Sequence, residues 1–193
     1  MDQTRQWGTD LRDIRRDHVA RYEFAATKFK SMMVLDAACG IGYGSWILQQ
    51  QDNEVTGIDI ESEALDWANL YWAGPKYVQQ DLEDVLEFGE DEFDAVVSFE
   101  TLEHLANPKE VLQKFRQAAS YLIASVPNQE HYPFDAMKFA NDKYPHKRHY
   151  TPKQFEDLLD SAGWDVVEKH CQKGKQSDVT WGTDGMFLIY VCR

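Results

Sequence analysis

Residues 34–45 read VLDAACGIGYGS, an apolar run that ends in an acid and continues into three alternating glycines. The first part has the aliphatic and β-branched content of a buried strand, and the residues that follow, SWILQQQ (45–51), have helical character. A glycine-rich turn between a strand and a helix is where open α/β sheets bind nucleotides, because the backbone can approach the ligand closely. The chain therefore predicts a strand, a binding turn and a helix in that order.

The same alternation of apolar runs and helical segments continues along the rest of the chain. The predicted strands are MMVLDA (32–37), EVTGID (54–59), KYVQQ (76–80), FDAVVSF (93–99), SYLIASV (120–126), WDVVEKH (164–170) and GMFLIYVC (185–192). The other predicted helices cover 10–29, 62–72, 108–119 and 153–163. The last of them has Thr151 as its N-cap and Pro152 in its first turn. Strands that alternate with helices indicate a mainly parallel sheet, whereas the last two strands lack a helix between them and should pair antiparallel.

We therefore predict a doubly wound α/β fold with a mostly parallel seven-stranded sheet and an antiparallel last strand. No repeat or linker divides the sequence, and 193 residues suit a single domain over 1–193. Within it, residues 1–30 are predicted to form an N-terminal helix and lid, and residues 127–150 a substrate-lid loop. That loop carries three of the six histidines and five aromatic residues, which argues against disorder and suits a flat or sugar-like acceptor.

The composition of the sequence limits the binding partners and the cellular compartment that we expect for the protein. The formal net charge is −13, from 20 basic and 33 acidic residues, which disfavours a broad phosphate-binding face and therefore duplex DNA. The cluster Arg12, Arg15, Arg16 and Arg21 is interpreted as a solvated face. No run approaches the roughly 18 apolar residues of a membrane helix, the first residues lack a signal-peptide pattern, and the three cysteines form no CxxC pair. We predict a cytoplasmic protein with no membrane partner.

Two details of the glycine turn distinguish between nucleotide ligands. A dinucleotide fingerprint requires a third glycine where this chain has Ser45. Asp36, four residues before the first glycine, would repel a pyrophosphate and attract an ammonium group. S-adenosylmethionine has an ammonium group, a sulfonium and no phosphate, so the acid favours it over a nicotinamide dinucleotide and oxidoreductase chemistry. Asp59 could hold the ribose hydroxyls and Asp81-Leu82 the adenine, with a helix N-cap as the alternative role for Asp81.

The segments VLDAACGIGYGS (34–45), TGIDIESEAL (56–65), FDAVVSFETLEHL (93–105) and IASVPN (123–128) resemble, in order and spacing, the motifs of class I S-adenosylmethionine-dependent methyltransferases. The sequence is most similar to the small Rossmann-like domains of types 11 and 23, matched near the end by HKRHYTP (146–152). The resemblance implies S-adenosylmethionine as cofactor, S-adenosylhomocysteine as product, and a cofactor site formed by Asp36, Ala38, Gly40, Gly42, Asp59, Ile60, Asp81, Leu82, Ser98 and Phe99. The chain departs from the family in lacking a Lys-Pro-Gly-Gly turn before the fifth strand. It also lacks the Asn-Pro-Pro-Tyr type of motif with which DNA enzymes hold a target base.

The candidate acceptor site follows the fourth strand. If the chain turns helically there, Glu100, Glu103 and His104 share one face. These side chains could hold Mg²⁺ or Mn²⁺, or His104 could act as a general base, or it could simply pack at a helix start. A Glu-x-x-Glu-His pattern with a later histidine, here His146 or His149, resembles metal-dependent O-methyltransferases of small-RNA ends or ubiquinone precursors. The catalytic candidates are Glu100, Glu103, His104 and His146, and transfer without a metal is favoured.

The sequence thus predicts methyl transfer to a small molecule or saccharide, at oxygen. Two alternatives stay open. One is a metal-assisted 2′-O-methyltransferase of RNA ends or nucleotides, and the other is a non-catalytic S-adenosylmethionine-binding protein. The oligomeric state is open as well.

Overall fold

The structure, a computed structural model, describes residues 7–84 and 88–193, and its strands all belong to one sheet. The strands are β1 (Met33–Ala37), β2 (Glu54–Asp59), β3 (Lys76–Gln79), β4 (Ala95–Phe99), β5 (Tyr121–Pro127), β6 (Val166–Gln172), β7 (Thr180–Trp181) and β8 (Phe187–Cys192). The α-helices are α1 (Arg16–Ala26), α2 (Tyr43–Gln49), α3 (Ser62–Tyr71), α4 (Pro108–Ala118), α5 (Ala136–Phe139) and α6 (Pro152–Ser161). None of the helices within the described ranges is long and apolar enough to cross a membrane. The first six residues of the predicted N-terminal segment lie outside the described residues.

The strands follow the order β3-β2-β1-β4-β5-β8-β6-β7 across the sheet. The first five in this order are parallel to one another. The last strand in sequence, β8, runs antiparallel to both β5 and β6. The predicted doubly wound α/β fold with an antiparallel last strand is therefore confirmed.

The described part of the chain contributes one strand more than the seven that the sequence predicts. The additional strand, β7, is two residues long and pairs with His170 and Cys171 of β6 inside the predicted final loop. Two residues are too few to show the alternation by which a strand is detected in a sequence. Because β8 lies between β5 and β6, the edge of the sheet on this side is formed by β6 and β7.

The predicted helix over 10–29 is divided in the structure. A 3₁₀ turn covers Leu11–Asp13, and α1 begins only at Arg16. The Asp10 carboxylate accepts a hydrogen bond from the Arg12 backbone N–H (2.9 Å), a local turn that competes with helix formation. Ile14 is then extended and buried, so its side chain reaches the core before α1 starts.

Two apolar layers cover the two faces of the sheet. In β1, Leu35 and Ala37 belong to the layer that includes α4 and α6, whereas Val34 belongs to the layer that includes α1 and α2. Successive strand residues point to opposite faces, so a strand covered on both sides is apolar at every position. This explains why the central strands are recognisable as continuous apolar runs.

The start of α6 is as predicted. Thr151 Oγ1 accepts a hydrogen bond from the Gln154 N–H (3.2 Å), and Gln154 Oε1 accepts one from the Thr151 N–H (2.9 Å). With Pro152 as the first helical residue, this is a complete capping box. The cap fixes the chain where the 127–150 segment ends.

Candidate active site

A cavity of about 550 Å³ opens at the edge of the sheet where the parallel strands end. Because β1 to β4 end together there, residues that are distant in sequence share its wall. The predicted cofactor residues on this wall are Ala38, Gly40, Asp59, Ile60, Asp81, Leu82 and Phe99. The other three, Asp36, Gly42 and Ser98, are buried and do not line the cavity.

Asp36 lies at the end of β1, fully buried behind the cavity wall. Its carboxylate accepts hydrogen bonds from the Tyr22 hydroxyl on α1 (3.0 Å) and from the Ser45 hydroxyl on α2 (2.6 Å). Burial raises the pKa of Asp36 to about 7, although both hydrogen bonds act to lower it. The carboxyl group therefore joins two helices to the strand. Its attraction for a cofactor ammonium group stays a prediction.

Replacing Asp36 with asparagine should make the free energy of unfolding less sensitive to pH. Between about pH 4 and pH 7 the folded protein retains the Asp36 proton while the unfolded chain releases it, so stability falls as the pH rises through this range. Asparagine does not titrate in this range. The unfolding free energy of Asp36→Asn, relative to that of the wild type, should therefore be higher at pH 8 than at pH 5. Urea unfolding of both proteins at the two pH values measures this shift. An equal difference at both values would contradict the raised pKa.

Two glycines of the turn are required by packing. Gly42 has φ +87°, and a Cβ atom there would lie 2.6 Å from the Ala68 Cβ and from the Tyr77 hydroxyl. A Cβ atom on Gly44 would lie 2.1 Å from Cζ of Tyr22. Helix and strand side chains therefore demand these glycines independently of any ligand. The predicted role of Gly42 at the cofactor stays a prediction.

Asp59 connects the ends of two neighbouring strands at the cavity. Its carboxylate accepts a hydrogen bond from the Gly40 N–H (2.8 Å), in the turn after β1, and another from the Glu61 N–H (2.9 Å). The side chain is buried but still contributes to the cavity wall. The carboxylate therefore holds the glycine turn in place at the position from which it would contact a ligand.

Arg21 of α1 is at the centre of a buried ion-pair cluster. The side chain is 1% exposed, with Nη2 3.1 Å from Asp17 Oδ2 and Nη1 3.0 Å from Glu100 Oε1. The same Glu100 oxygen accepts a hydrogen bond from Ser125 Oγ (2.8 Å). The interpretation of Arg21 as part of a solvated face is therefore wrong. Its partners Glu100, directly after β4, and Ser125, in β5, are far from Arg21 in sequence. Helical periodicity therefore carries no information about them.

The predicted grouping of Glu100 with Glu103 and His104 is not the arrangement found. Glu100 has φ +50° and points to Arg21, and the following residues form a turn closed by the His104 N–H and the Thr101 carbonyl (3.0 Å). Helical spacing therefore does not apply from residue 100 onward. The group that the structure brings together is Glu103, His104 and His146, with one ligand-type atom from each within 4.8 Å of the others.

Glu103 is the fully buried member of that group. Neither carboxylate oxygen has a hydrogen-bond partner among residues 7–84 and 88–193, and the nearest His104 nitrogen, Nε2, is 4.0 Å away. Burial raises the pKa of Glu103 well above its ordinary value, and the nearby Glu100 adds to this effect. Burial therefore favours the neutral acid form of Glu103 over the carboxylate.

The predicted lid, residues 127–150, forms one wall of the cavity and contains the short helix α5. The Lys147 N–H donates to the Glu103 carbonyl (2.8 Å), and Lys143 Nζ lies 2.6 Å from Glu61 Oε1. These contacts join the segment to the turn after β4 and to the start of α3. Its role as a lid stays a prediction.

His146 is held within this segment by a ring contact and a chain of hydrogen bonds. Its ring stacks on Phe139, with centroids 4.0 Å apart and an interplanar angle of 9°. His146 Nδ1 is 2.9 Å from His149 Nε2, and His149 Nδ1 is 2.6 Å from the Tyr132 carbonyl oxygen. Burial lowers the pKa of His146 to about 3 and also lowers that of His149. The predicted catalytic residues do not include His149, although the sequence offers it beside His146 as the later histidine of the Glu-x-x-Glu-His pattern.

Part of this chain is similar in sequence to a protein family and to named enzymes from other organisms. Residues 10–169 match the family described as a methyltransferase domain. The ubiquinone biosynthesis O-methyltransferase of Alkalilimnicola ehrlichii is 32% identical over 103 residues, which cover 51% of this chain and 40% of that protein. The enzyme of the same name from Pectobacterium atrosepticum is 25% identical over 162 residues, 66% of this chain and 67% of that protein. The chain thus matches less than half of the first relative and two thirds of the second.

Solved structures share the fold over most of the chain. An S-adenosylmethionine-dependent methyltransferase from Mesorhizobium loti superposes with a TM-score of 0.71 and 19% identity, over 91% of this chain and 99% of that one. A second one, from Aquifex aeolicus, has a TM-score of 0.64 and 17% identity over 89% and 88% of the two chains. At such identities the likeness establishes the fold, and the family follows from the match over residues 10–169. The chain belongs to the class I S-adenosylmethionine-dependent methyltransferases.

Proposed function

We propose that this protein transfers the methyl group of S-adenosylmethionine to an oxygen atom of a small molecule or a saccharide. The cavity wall fits the cofactor, because Asp59 and Asp81 offer carboxylates for ribose hydroxyls and an adenine amino group. Ile60 and Leu82 lie next to them and offer apolar contact for the adenine ring. When bound, the cofactor supplies a methyl group on a positively charged sulfur.

The observation that carries the proposal is a pair of imidazoles on the wall of the same cavity. The rings of His104 and His146 lie 4.5 Å apart, and burial lowers the pKa of both, so they are uncharged at neutral pH. An uncharged imidazole has a lone pair that can accept the proton that a hydroxyl must lose. Its lowered pKa makes it a weaker base than a free imidazole, so the transfer depends mainly on positioning. The aromatic residues Tyr132, Phe139 and Tyr144 also line the cavity and suit a flat or sugar-like acceptor.

Two considerations support oxygen as the acceptor atom. A neutral amine already has a lone pair for attack, whereas a hydroxyl benefits from a base beside it, and this cavity places imidazoles on its wall. The relatives from Alkalilimnicola ehrlichii and Pectobacterium atrosepticum are also named as O-methyltransferases.

Transfer of a labelled methyl group into fractionated cell extract tests the proposal. We expect label in the small-molecule or glycan fraction, and a loss of roughly 100-fold or more when His104 and His146 are both replaced by alanine. His131→Ala is the matched control, because His131 is an exposed histidine of the same segment whose ring lies 3.2 Å from Asp184. Nuclease-sensitive label would favour an RNA acceptor. Binding of S-adenosylhomocysteine without any transfer would favour a non-catalytic role.

Metal-assisted transfer is the second candidate, and the group Glu103, His104 and His146 favours it. A divalent ion would accept the buried Glu103 oxygens as ligands, together with imidazole nitrogens. The raised pKa of Glu103 offers a different explanation, because a protonated carboxyl can remain buried without a counter-ion. The two explanations predict opposite responses to a chelator.

We expect methyl transfer to persist in EDTA, because burial favours the neutral form of Glu103, which requires no metal. The Glu103→Gln variant, uncharged and of the same shape, should likewise fold and retain transfer. Both are measured with the labelled-methyl assay, with and without EDTA. Transfer that is abolished by EDTA and restored by Mn²⁺ or Mg²⁺ would instead establish the metal-assisted candidate.

A further inference from the structure

We infer that His149 is a positioning residue, which fixes the proton of His146 on Nδ1 and so presents Nε2 of His146 to the acceptor as the general base. The inference rests on the proposed methyl transfer and identifies which of the two imidazoles takes the proton. It follows from the direction of two consecutive hydrogen bonds.

The first hydrogen bond has only one permitted direction. The Tyr132 carbonyl oxygen can only accept, so His149 Nδ1, 2.6 Å away, must carry the hydrogen. A neutral imidazole carries one ring proton, and Nε2 of His149 is therefore left with a lone pair. His149 is 6% exposed, which favours the neutral ring.

The second hydrogen bond inherits its direction from the first. His149 Nε2 lies 2.9 Å from His146 Nδ1 and can only accept, so His146 Nδ1 must donate. With its single proton on Nδ1, His146 keeps a lone pair on Nε2. Because Nδ1 is occupied by His149 and the side chain of His146 lines the cavity, Nε2 is the nitrogen available to a bound acceptor. An outer partner that selects a histidine tautomer in this way is a recurring arrangement in active sites.

Aromatic packing keeps the rings of His146 and His149 in this relative orientation. Phe139 stacks on His146 at 4.0 Å, and its ring centroid is 5.6 Å from that of His149. Tyr132, whose carbonyl starts the chain of hydrogen bonds, also places its ring 4.9 Å from His149. Phe134 lies 5.4 Å from the same ring. Phe139 and His149 therefore orient His146, and the aromatic rings of Tyr132, Phe134 and Phe139 surround His149.

The neighbouring Glu103 carboxyl group does not determine which nitrogen of His104 carries the proton. Its Nε2 is 4.0 Å from Glu103 Oε1, beyond hydrogen-bond distance. His104 and His146 are in edge-to-face contact, so His104 can pack against the base without serving as one. His146 is assigned the role of base because the hydrogen-bond chain through His149 determines which of its nitrogens carries the proton.

The proposed step couples methyl transfer to proton transfer to His146. The acceptor hydroxyl gives its proton to His146 Nε2 while its oxygen forms the new bond to the methyl carbon. The carbon–sulfur bond breaks, its electron pair stays on sulfur, and S-adenosylhomocysteine leaves as a neutral thioether. His146 becomes an imidazolium that still donates from Nδ1 to His149 and returns the new proton to solvent.

Nitrogen-15 NMR of the histidine-labelled protein tests the tautomer without requiring activity. The His146 resonances are identified by their absence in His146→Phe. We expect His146 and His149 each to carry the proton on Nδ1 at pH 7.5, and His146 to lose this preference in His149→Phe. A proton on Nε2 of His146 in the wild-type protein would overturn the inference, whether or not an acceptor is known.

Kinetics test the consequence for catalysis with the acceptor fraction identified above. We expect His149→Phe to lower kcat roughly 10- to 100-fold with KM little changed, the loss typical when a partner that orients a functional histidine is removed. His149→Gln, whose side-chain oxygen can accept from His146 Nδ1, should recover part of it. His131→Phe is the control, and a kcat for His149→Phe equal to that of the control would overturn the inference. The predicted tautomer in a protein without transfer would count against the proposed function alone.

Discussion

Replacement of Arg21 by leucine is expected to lower the free energy of unfolding by roughly 3–5 kcal/mol. Arg21 is buried and is the shared partner of Asp17 and Glu100, at 3.1 and 3.0 Å. Removing Arg21 leaves the Glu100 charge without this ion pair in a medium of low polarity, whereas Asp17 keeps Arg15 at 2.6 Å. Leucine also withdraws a hydrogen-bond donor that lies 3.3 Å from Ser125 Oγ. The loss should therefore exceed what the change in side-chain volume alone would cause.

Urea unfolding of wild type and Arg21→Leu measures this loss. Arg12→Leu is the matched control, because Arg12 lies on the same segment with its side chain 88% exposed and should change stability by only about 0.5 kcal/mol. Adding Glu100→Gln to Arg21→Leu should recover part of the stability, since glutamine removes the charge that loses its ion pair with Arg21. A loss no larger than that of the Arg12 control would show that the buried cluster does not support the fold.

Replacement of Asp59 by alanine is expected to weaken binding of S-adenosylhomocysteine by about 100-fold or more. Hydrogen bonds to a charged acceptor contribute about 1.5–3 kcal/mol each, and two ribose hydroxyls would lose such bonds together. The same change releases the Gly40 and Glu61 N–H groups that Asp59 holds at 2.8 and 2.9 Å. The glycine turn would thereby lose its support from β2.

Titration calorimetry of the product with wild type and Asp59→Ala measures the affinity. Asp66→Ala, at an exposed acid on α3, controls for the change in net charge and should bind as the wild type does. Asp59→Asn should fall between the two, because its side-chain oxygen can still accept one hydrogen bond. Equal affinity for Asp59→Ala and the Asp66 control would exclude Asp59 from the cofactor site.

Local sequence was sufficient to predict the fold and a set of residues of which most line one cavity. Strands covered on both faces are apolar at nearly every position, and Thr151 with Pro152 indicates a helix start, so both features can be detected within a few residues. Asp59 ends one predicted strand and Asp81 directly follows another, and parallel strands end at one edge. The exception is β7, whose two residues are a strand only because β6 lies beside them.

The acceptor side could not be predicted to the same depth, because its geometry depends on contacts between residues far apart in sequence. Glu100 and Glu103 are three residues apart, yet a positive φ at Glu100 directs it to Arg21 while Glu103 lies with His104 and His146. His146 and His149 can be recognised as a pair in the sequence, but the proton on each is set by the Tyr132 carbonyl, seventeen residues before His149. The fold and the edge of the sheet at which the cavity opens thus follow from periodicity and strand ends, which are local properties. Which charges are buried and which nitrogen is free depends on partners that only folding brings together.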